Sequence, residues 1–239
     1  MTTTAVIPIK QLANAKQRLS GLLCAEERRD LFTAMVCDVL TAVEACVAVD
    51  NILVITDDPA VAELAGSFGA GVCPEPSSPG LIEAVTRAGE QLAAQGVDTM
   101  MFIPGDVPLV SPEELDVVLE GFGQSGGPEF LIVPATDLGG SNCVLCSPPD
   151  CMSFAFGVDS FRKHLGIARD RGLNPVVAKL PFIGLDVDTP DDLKALIAIV
   201  EDSGTDASRY HTLRYLAQSG ILARLYENNL ETLAETGSN

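Results

Sequence analysis

The stretch Thr99-Met100-Met101-Phe102-Ile103-Pro104-Gly105-Asp106-Val107-Pro108-Leu109-Val110-Ser111-Pro112-Glu113-Glu114 holds a whole structural unit. Thr99 to Pro104 is an apolar run of strand length. Gly105 to Leu109 carries turn formers, and Ser111 with Pro112 and Glu114 has the spacing of a capping box that opens a helix. The same unit recurs twice. Asn51 to Thr56 is a strand followed by Asp58-Pro59, an N-cap acid with proline in the first turn. The apolar run Phe182 to Val187 precedes a second capping box, Thr189-Pro190-Asp191-Asp192. Upstream, Thr3 to Ile9 is a further strand. A long helix is predicted from Ala25 to Cys46, its apolar stripe formed by Leu31, Met35, Val39 and Val43 and broadened by Phe32, Val36 and Leu40.

Strand, loop and capped helix alternating in this way predict an α/β fold: a single doubly wound, mainly parallel sheet, Rossmann-like, with helices on both faces. Phe130 to Pro134 and Ser141 to Cys146 are two strands in succession, so a small antiparallel insertion is expected there. With 239 residues, 47% of them hydrophobic, the chain can bury one sizeable core. Residues 1–202 are expected to form that domain and 203–239 a helical C-terminal tail. The tail's stripe of Leu213, Leu216, Ile221, Leu222 and Leu225 must pack on the body or on a partner, because it is costly to leave in water.

A formal charge of −18 repels phosphate backbones, which argues against nucleic acid and anionic membranes as partners. Any anionic ligand then needs a local cationic pocket and a divalent ion against the field of the whole molecule. No stretch approaches the roughly 20 apolar residues of a membrane span, and no charged segment leads into a long apolar run at the N-terminus, so a soluble, cytoplasmic protein is expected. Seven cysteines without an export signal read as reduced, mostly buried residues. Cys143 and Cys146 stand at an odd offset in a strand and so point to opposite faces, against a shared zinc ion.

Ligands of such sheets bind beyond the carboxyl ends of the strands. There Asp106 is placed to hold magnesium, although it could equally cap a turn. Asp186 and Asp188, in Leu185-Asp186-Val187-Asp188-Thr189-Pro190, sit where the last strand hands over to a helix. Acids from two such ends can share one hard cation and leave positions for phosphate oxygens; Asp188 alone could equally be a turn residue. After the first strand, Lys10, Lys16 and Arg18 put three cations within nine residues, a triphosphate clamp or a solvated basic loop. Leu138-Gly139-Gly140-Ser141-Asn142 and Phe156-Gly157-Val158-Asp159-Ser160-Phe161-Arg162-Lys163-His164 combine glycines with hydroxyl or amide residues, as anion sites or as plain glycine turns. No P-loop, dinucleotide fingerprint or nucleophile elbow is present, which removes the main support for ATPase, dehydrogenase and serine hydrolase readings.

Taken in this order, from Ala5 to about Leu196, these segments resemble the 2-phospho-L-lactate guanylyltransferase family of coenzyme F-420 biosynthesis, with its phosphoenolpyruvate and 3-phosphoglycerate variants. The resemblance implies a nucleotidyltransferase domain whose usual glycine-rich first loop is replaced by Pro8 to Leu19. It implies GTP as co-substrate, Mg2+ as cofactor and a small phosphorylated acid as acceptor. Metal aspartates are then expected at Asp106 and Asp186, beside Asp188, with Lys16 joining Asp106 and Asp186 in catalysis. Nucleotide contacts fall to Lys10, Lys16, Arg18, Gly80 and Gly105, and the acid site to Asn142, Gly157 and Ser160. The family resemblance and the apolar tail together suggest a homodimer. Two positions depart from the family pattern. Gly80-Leu81-Ile82-Glu83-Ala84 stands where Gly-Leu-Asn is common, and Lys163 where arginine is frequent. The rival readings are a nucleotidyltransferase with another acceptor, a non-catalytic nucleotide-binding module, and a glycosyltransferase using Asp186-Val187-Asp188.

Overall fold

A computed structural model describes residues 1–78 and 80–227 of the chain. Its strands are β1 (Thr3–Pro8), β2 (Asn51–Ile55), β3 (Gly71–Cys73), β4 (Thr99–Phe102), β5 (Glu129–Pro134), β6 (Ser141–Ser147) and β7 (Val176–Val177). The helices are α1 (Ala25–Ala45), α2 (Pro59–Ser67), α3 (Leu81–Ala94), α4 (Pro112–Leu119), α5 (Ser160–Asp170), α6 (Pro190–Ser203) and α7 (His211–Gln218), with residues 221–227 also helical. The strands form one sheet in the order β3-β2-β1-β4-β6-β5-β7. β1 runs parallel to β2 and β4, β2 to β3, and β5 to β7; β6 is antiparallel to both its neighbours. The expected α/β sheet with its antiparallel insertion is therefore the fold, and β6 is the reversed strand.

Alternation along the strands divides the core. Ala5, Ile7, Met101 and Ile103 pack with α1, α2 and α4 through Val36, Val39, Val61 and Leu115. Val6, Met100 and Phe102 face the other way, toward α3 and α5 through Val85, Leu92 and Phe161. Cys143 and Cys146 lie in these two opposite layers, as their odd offset requires. A third cluster lies off the sheet. There Leu31 and Met35 of α1 meet Leu193 and Leu196 of α6, and Leu213, Leu216, Ile221 and Leu225 beyond it.

The C-terminal segment thus covers its apolar stripe on its own chain, which leaves the family resemblance alone as the ground for a dimer. Its attachment is also polar: the buried Asp38 carboxylate accepts the His211 and Thr212 amides at 2.6 and 2.9 Å, at the start of α7. Residues 228–239, the rest of the expected tail, lie outside the described residues.

One expectation is corrected. The apolar run Phe182 to Val187 is a series of turns without a strand ladder, so Asp186 and Asp188 do not follow a strand end. The physical reason is Glu114. Instead of closing the capping box at Ser111, whose hydroxyl does accept the Glu114 amide at 3.2 Å, its carboxylate accepts the Phe182 and Ile183 amides at 3.0 and 2.7 Å. Two amides that a strand would give to its neighbour are thereby taken by a side chain. The run is tied down further by Thr136 N–H to the Gly184 carbonyl and Val187 N–H to the Asp106 carbonyl. Removing a buried acceptor leaves both amides unpaired, so Glu114→Ala should cost about 2–4 kcal/mol in urea unfolding and Glu114→Gln roughly half of that. An unchanged midpoint in the alanine variant would show that the run holds itself.

Candidate active site

The carboxyl ends of β1, β2, β3 and β4 share one rim. β6, being reversed, starts there, with Phe102 opposite Val144. A cavity of about 370 Å³ opens on this rim, bounded by Lys10, Lys16, Gly80, Gly105, Asp106 and Asp188 among others. Six of the residues expected from sequence thus meet around one space.

Lys16 is at its centre. The residue has left-handed backbone (φ 51°), between two short turns of helix at Leu12–Asn14 and Gln17–Leu19, which sends its side chain inward. Its ammonium, only 4% exposed, donates to Asp106 Oδ2 and Asp188 Oδ1, both at 2.8 Å. It also lies 5.3 Å from the centre of the Phe32 ring, a cation–π contact. Burial by itself would lower the Lys16 pKa, but attraction to Asp106 and Asp188 and the hydrogen bonds to both outweigh it and hold the pKa above the usual lysine value. Lys16 is therefore charged at neutral pH. Gly105 lies where the β4 loop crosses α1: a Cβ there would come within 3.2 Å of Val36 and 3.4 Å of Ile9.

Arg18 is less engaged. Its side chain is largely exposed, reaches Asp188 Oδ2 at 3.4 Å and does not line the cavity. Asp186 does not line the cavity itself; Asn142 Nδ2 donates to its Oδ1 at 3.1 Å and to the Ile183 carbonyl. Burial first, and repulsion from Asp106 and Asp188 after it, raise the Asp186 carboxyl above the ordinary range, with the Asn142 hydrogen bond opposing them. These carboxylates therefore crowd a region that favours positive charge. Among the described residues no three His, Cys, Asp or Glu side chains form a complete metal cage. The donor set still fits magnesium, an ion that takes one or two carboxylate oxygens and completes its shell with water and phosphate. Among the described residues only Lys16 bonds the Asp106 carboxylate, through Oδ2, and Asp106 lines the cavity.

Gly157 and Ser160 sit apart from that cavity, at the start of α5. Ser160 Oγ and Ser141 Oγ are 3.0 Å apart, and Ser141 Oγ lies 2.9 Å from Nδ1 of the buried His164. The Ala155 amide donates to His164 Nε2 at 2.9 Å, so the neutral ring carries its proton on Nδ1 and donates it to Ser141. Lys163, at the position that departs from the family pattern, bonds the Val158 carbonyl at 2.8 Å. Ile82 and Glu83 point outward: Ile82 is exposed and Glu83 pairs with Arg87 at 3.6 Å. Leu81 and Ala84 line the cavity instead.

With this geometry in hand, comparison with known proteins decides the family. The family model described as guanylyl transferase CofC like matches residues 3–221. The chain belongs to this family. It is 38% identical over 200 residues to a phosphoenolpyruvate guanylyltransferase of Conexibacter woesei, covering 84% of this chain and 89% of that protein. It is 34% identical over 210 residues to a 2-phospho-L-lactate guanylyltransferase of Methanothermobacter thermautotrophicus, covering 88% and 90%. Among solved structures, 4-diphosphocytidyl-2C-methyl-D-erythritol synthase superposes with a TM-score of 0.58 at 15% identity, over 83% of this chain and 98% of its own, a likeness of fold. Sequence reasoning read Glu114 of this CofC-like chain only as a capping-box residue, and passed over its bonds to Phe182 and Ile183 and the hydrogen-bonded partners of His164. Those partners come from other segments of the chain, so no spacing announces them.

The His164 chain can be tested by pH. Burial lowers its pKa from 6.5 to about 4. Between those values the unfolded chain binds a proton that the folded one refuses. The stability from this group is therefore whole above pH 6.5 and lost as pH falls toward 4, by up to roughly 3 kcal/mol. Subtracting the urea-unfolding profile of His164→Asn from that of the wild type should expose this slope; parallel profiles would contradict it.

Proposed function

We propose that this protein transfers a guanylyl group from GTP to a small phosphorylated carboxylic acid in coenzyme F-420 biosynthesis. The observation that carries the reading is the convergence of the Lys16 ammonium with Asp106 and Asp188 on the cavity wall, in a chain of the guanylyl transferase family. Acceptors of this class are phosphoenolpyruvate, 2-phospho-L-lactate and 3-phospho-D-glycerate, each named in a relative.

In this reading an oxygen of the acceptor's phosphate attacks the α-phosphorus of GTP in line. A new phosphorus–oxygen bond forms, the bond from the α-phosphorus to its bridging oxygen breaks, and pyrophosphate leaves. The second pKa of a phosphate monoester is ~6, so the attacking oxygen is already ionised at neutral pH and no general base is needed. This suits a cavity lined by neither of the two histidines, His164 and His211. Lys10 and Lys16 neutralise and align the triphosphate, Arg18 guards the approach from solvent, and Gly105 lets the β4 loop lie close against α1. Magnesium, when bound, supplies Lewis-acid charge neutralisation at the phosphates; Asp106 and Asp186 would hold it, with Asp188 beside them. Asn142 fixes the Asp186 carboxylate, and Gly157 and Ser160 belong to the acceptor side.

Pyrophosphate release should require GTP, magnesium and one of the three acids, and the acid that supports it names the acceptor. Asp106→Asn should lower turnover by about 10³-fold while leaving the circular dichroism spectrum unchanged. A folded variant with near-normal turnover would remove Asp106 from the chemistry.

A further inference from the structure

The cavity has two chemically different ends. At one, Lys16 joins Asp106 and Asp188. At the other stands Glu75, in the loop that follows β3, beside Ile55, Gly80, Leu81 and Ala84. A second depression adjoins this end and shares Ile55, Glu75 and Ala84 with it, so Glu75 lies on the boundary of two connected spaces. Its backbone is fixed, because its amide donates to Asp57 Oδ1 at 3.0 Å, pinning the loop after β3 to the loop after β2. Among the described residues its carboxylate has neither a hydrogen bond nor an ion pair.

Such a group calls for a ligand donor. The chain already carries a charge of −18, and a carboxylate beside a phosphate site is repulsive unless it accepts hydrogen bonds. It offers acceptors only, two oxygens side by side. Among the nucleobases, guanine presents two adjacent donors on one edge, N1–H and the N2 amino group. Adenine and cytosine show a donor next to an acceptor, and uracil a donor between two carbonyls.

The spacing of the strands leaves room for a nucleotide. In the strand order β3-β2-β1-β4, Glu75 and Asp106 follow strands three intervals apart, roughly 14 Å at about 4.8 Å per interval, enough to hold a purine nucleotide from its base edge to its α-phosphate with a polar contact at each end. Ile55, Leu81 and Ala84 supply an apolar floor for a ring lying between.

We infer that Glu75 reads the guanine base, accepting N1–H and N2–H through its two carboxylate oxygens, and is the residue that selects GTP. The inference rests on the nucleotide occupying this cavity as proposed above. It also explains how the chain does without an amide at Ile82: that position is exposed, and recognition comes from Glu75.

The test is pyrophosphate release with GTP, ITP and XTP by the wild type, Glu75→Gln and Glu75→Ala, in parallel with calorimetric binding of GDP and XDP. ITP lacks the N2 amino group and should fall about 10-fold below GTP in the wild type. Glu75→Gln offers one acceptor and one donor, which match N1–H and the C2 carbonyl of xanthine. It should lose about 10²-fold in kcat/KM with GTP and gain with XTP, reversing the preference at nearly constant kcat, while Glu75→Ala should lose the discrimination. A wild type that uses GTP, with a Glu75→Gln variant that keeps the same GTP-to-XTP ratio in turnover and binding, overturns the role of Glu75 alone. A wild type that neither binds GDP nor releases pyrophosphate from GTP overturns the reading of the cavity, and this inference with it.

Discussion

The site depends on one buried ammonium. Lys16 Nζ is almost out of contact with water, and a lone charge so placed would cost several kcal/mol. Two carboxylates make it tolerable, and they come from segments 90 and 172 residues away along the chain. The contact therefore joins the loop after β1, the loop after β4 and the segment before α6. Backbone geometry supports it from both sides: the left-handed turn at Lys16, and the hydrogen bond from the Val187 amide to the Asp106 carbonyl. Removing the ammonium would leave Asp106 and Asp188 facing each other near a half-buried Asp186 whose carboxyl is already held above the ordinary range.

This arrangement answers a conflict set by composition. A chain of charge −18 that handles phosphates must create positive potential locally, and it does so with few cations. Burial makes Lys16 count for more, because a charge in a low-dielectric wall is felt further than one in water. In the proposed reaction the incoming phosphates compete for the same ammonium, so Asp106 would exchange one cationic partner for another as the site fills. Arg18, exposed and loosely paired, has little of this leverage and contributes mainly to approach.

Much of this was legible in the sequence, for reasons that differ by residue. Asp106 and Lys10 follow well-patterned strands, so the rule that ligands bind at strand ends locates them directly. Thr189 and Asp192 form the reciprocal cap their spacing announces. β3 and β7, three and two residues long, are too short to show a period, and their pairing is supplied by the neighbouring strand. Phe182 to Val187 has the composition of a buried strand and is buried. It lacks only a ladder, because Glu114 intercepts its amides, and no local pattern encodes a carboxylate arriving from 68 residues away. Glu75, between Pro74 and Pro76, shows no periodicity, and its position has meaning only once β3 is known to end there.

The reversal of β6 has a consequence for how the site is assembled. In a wholly parallel sheet every strand delivers the residue after its last to the working rim, always a loop residue free to move. β6 delivers its first residues instead, so Ser141, paired with Pro134, and Asn142, at the irregularity where the register shifts, reach the rim from within the strand. Asn142, from within the strand, fixes Asp186, and Ser141 joins His164 to Ser160. One strand end thus supports the half-buried Asp186 carboxylate on one side and the start of α5 on the other. Loops supply the groups that meet solvent and ligand, while the reversed strand supplies the groups that hold them.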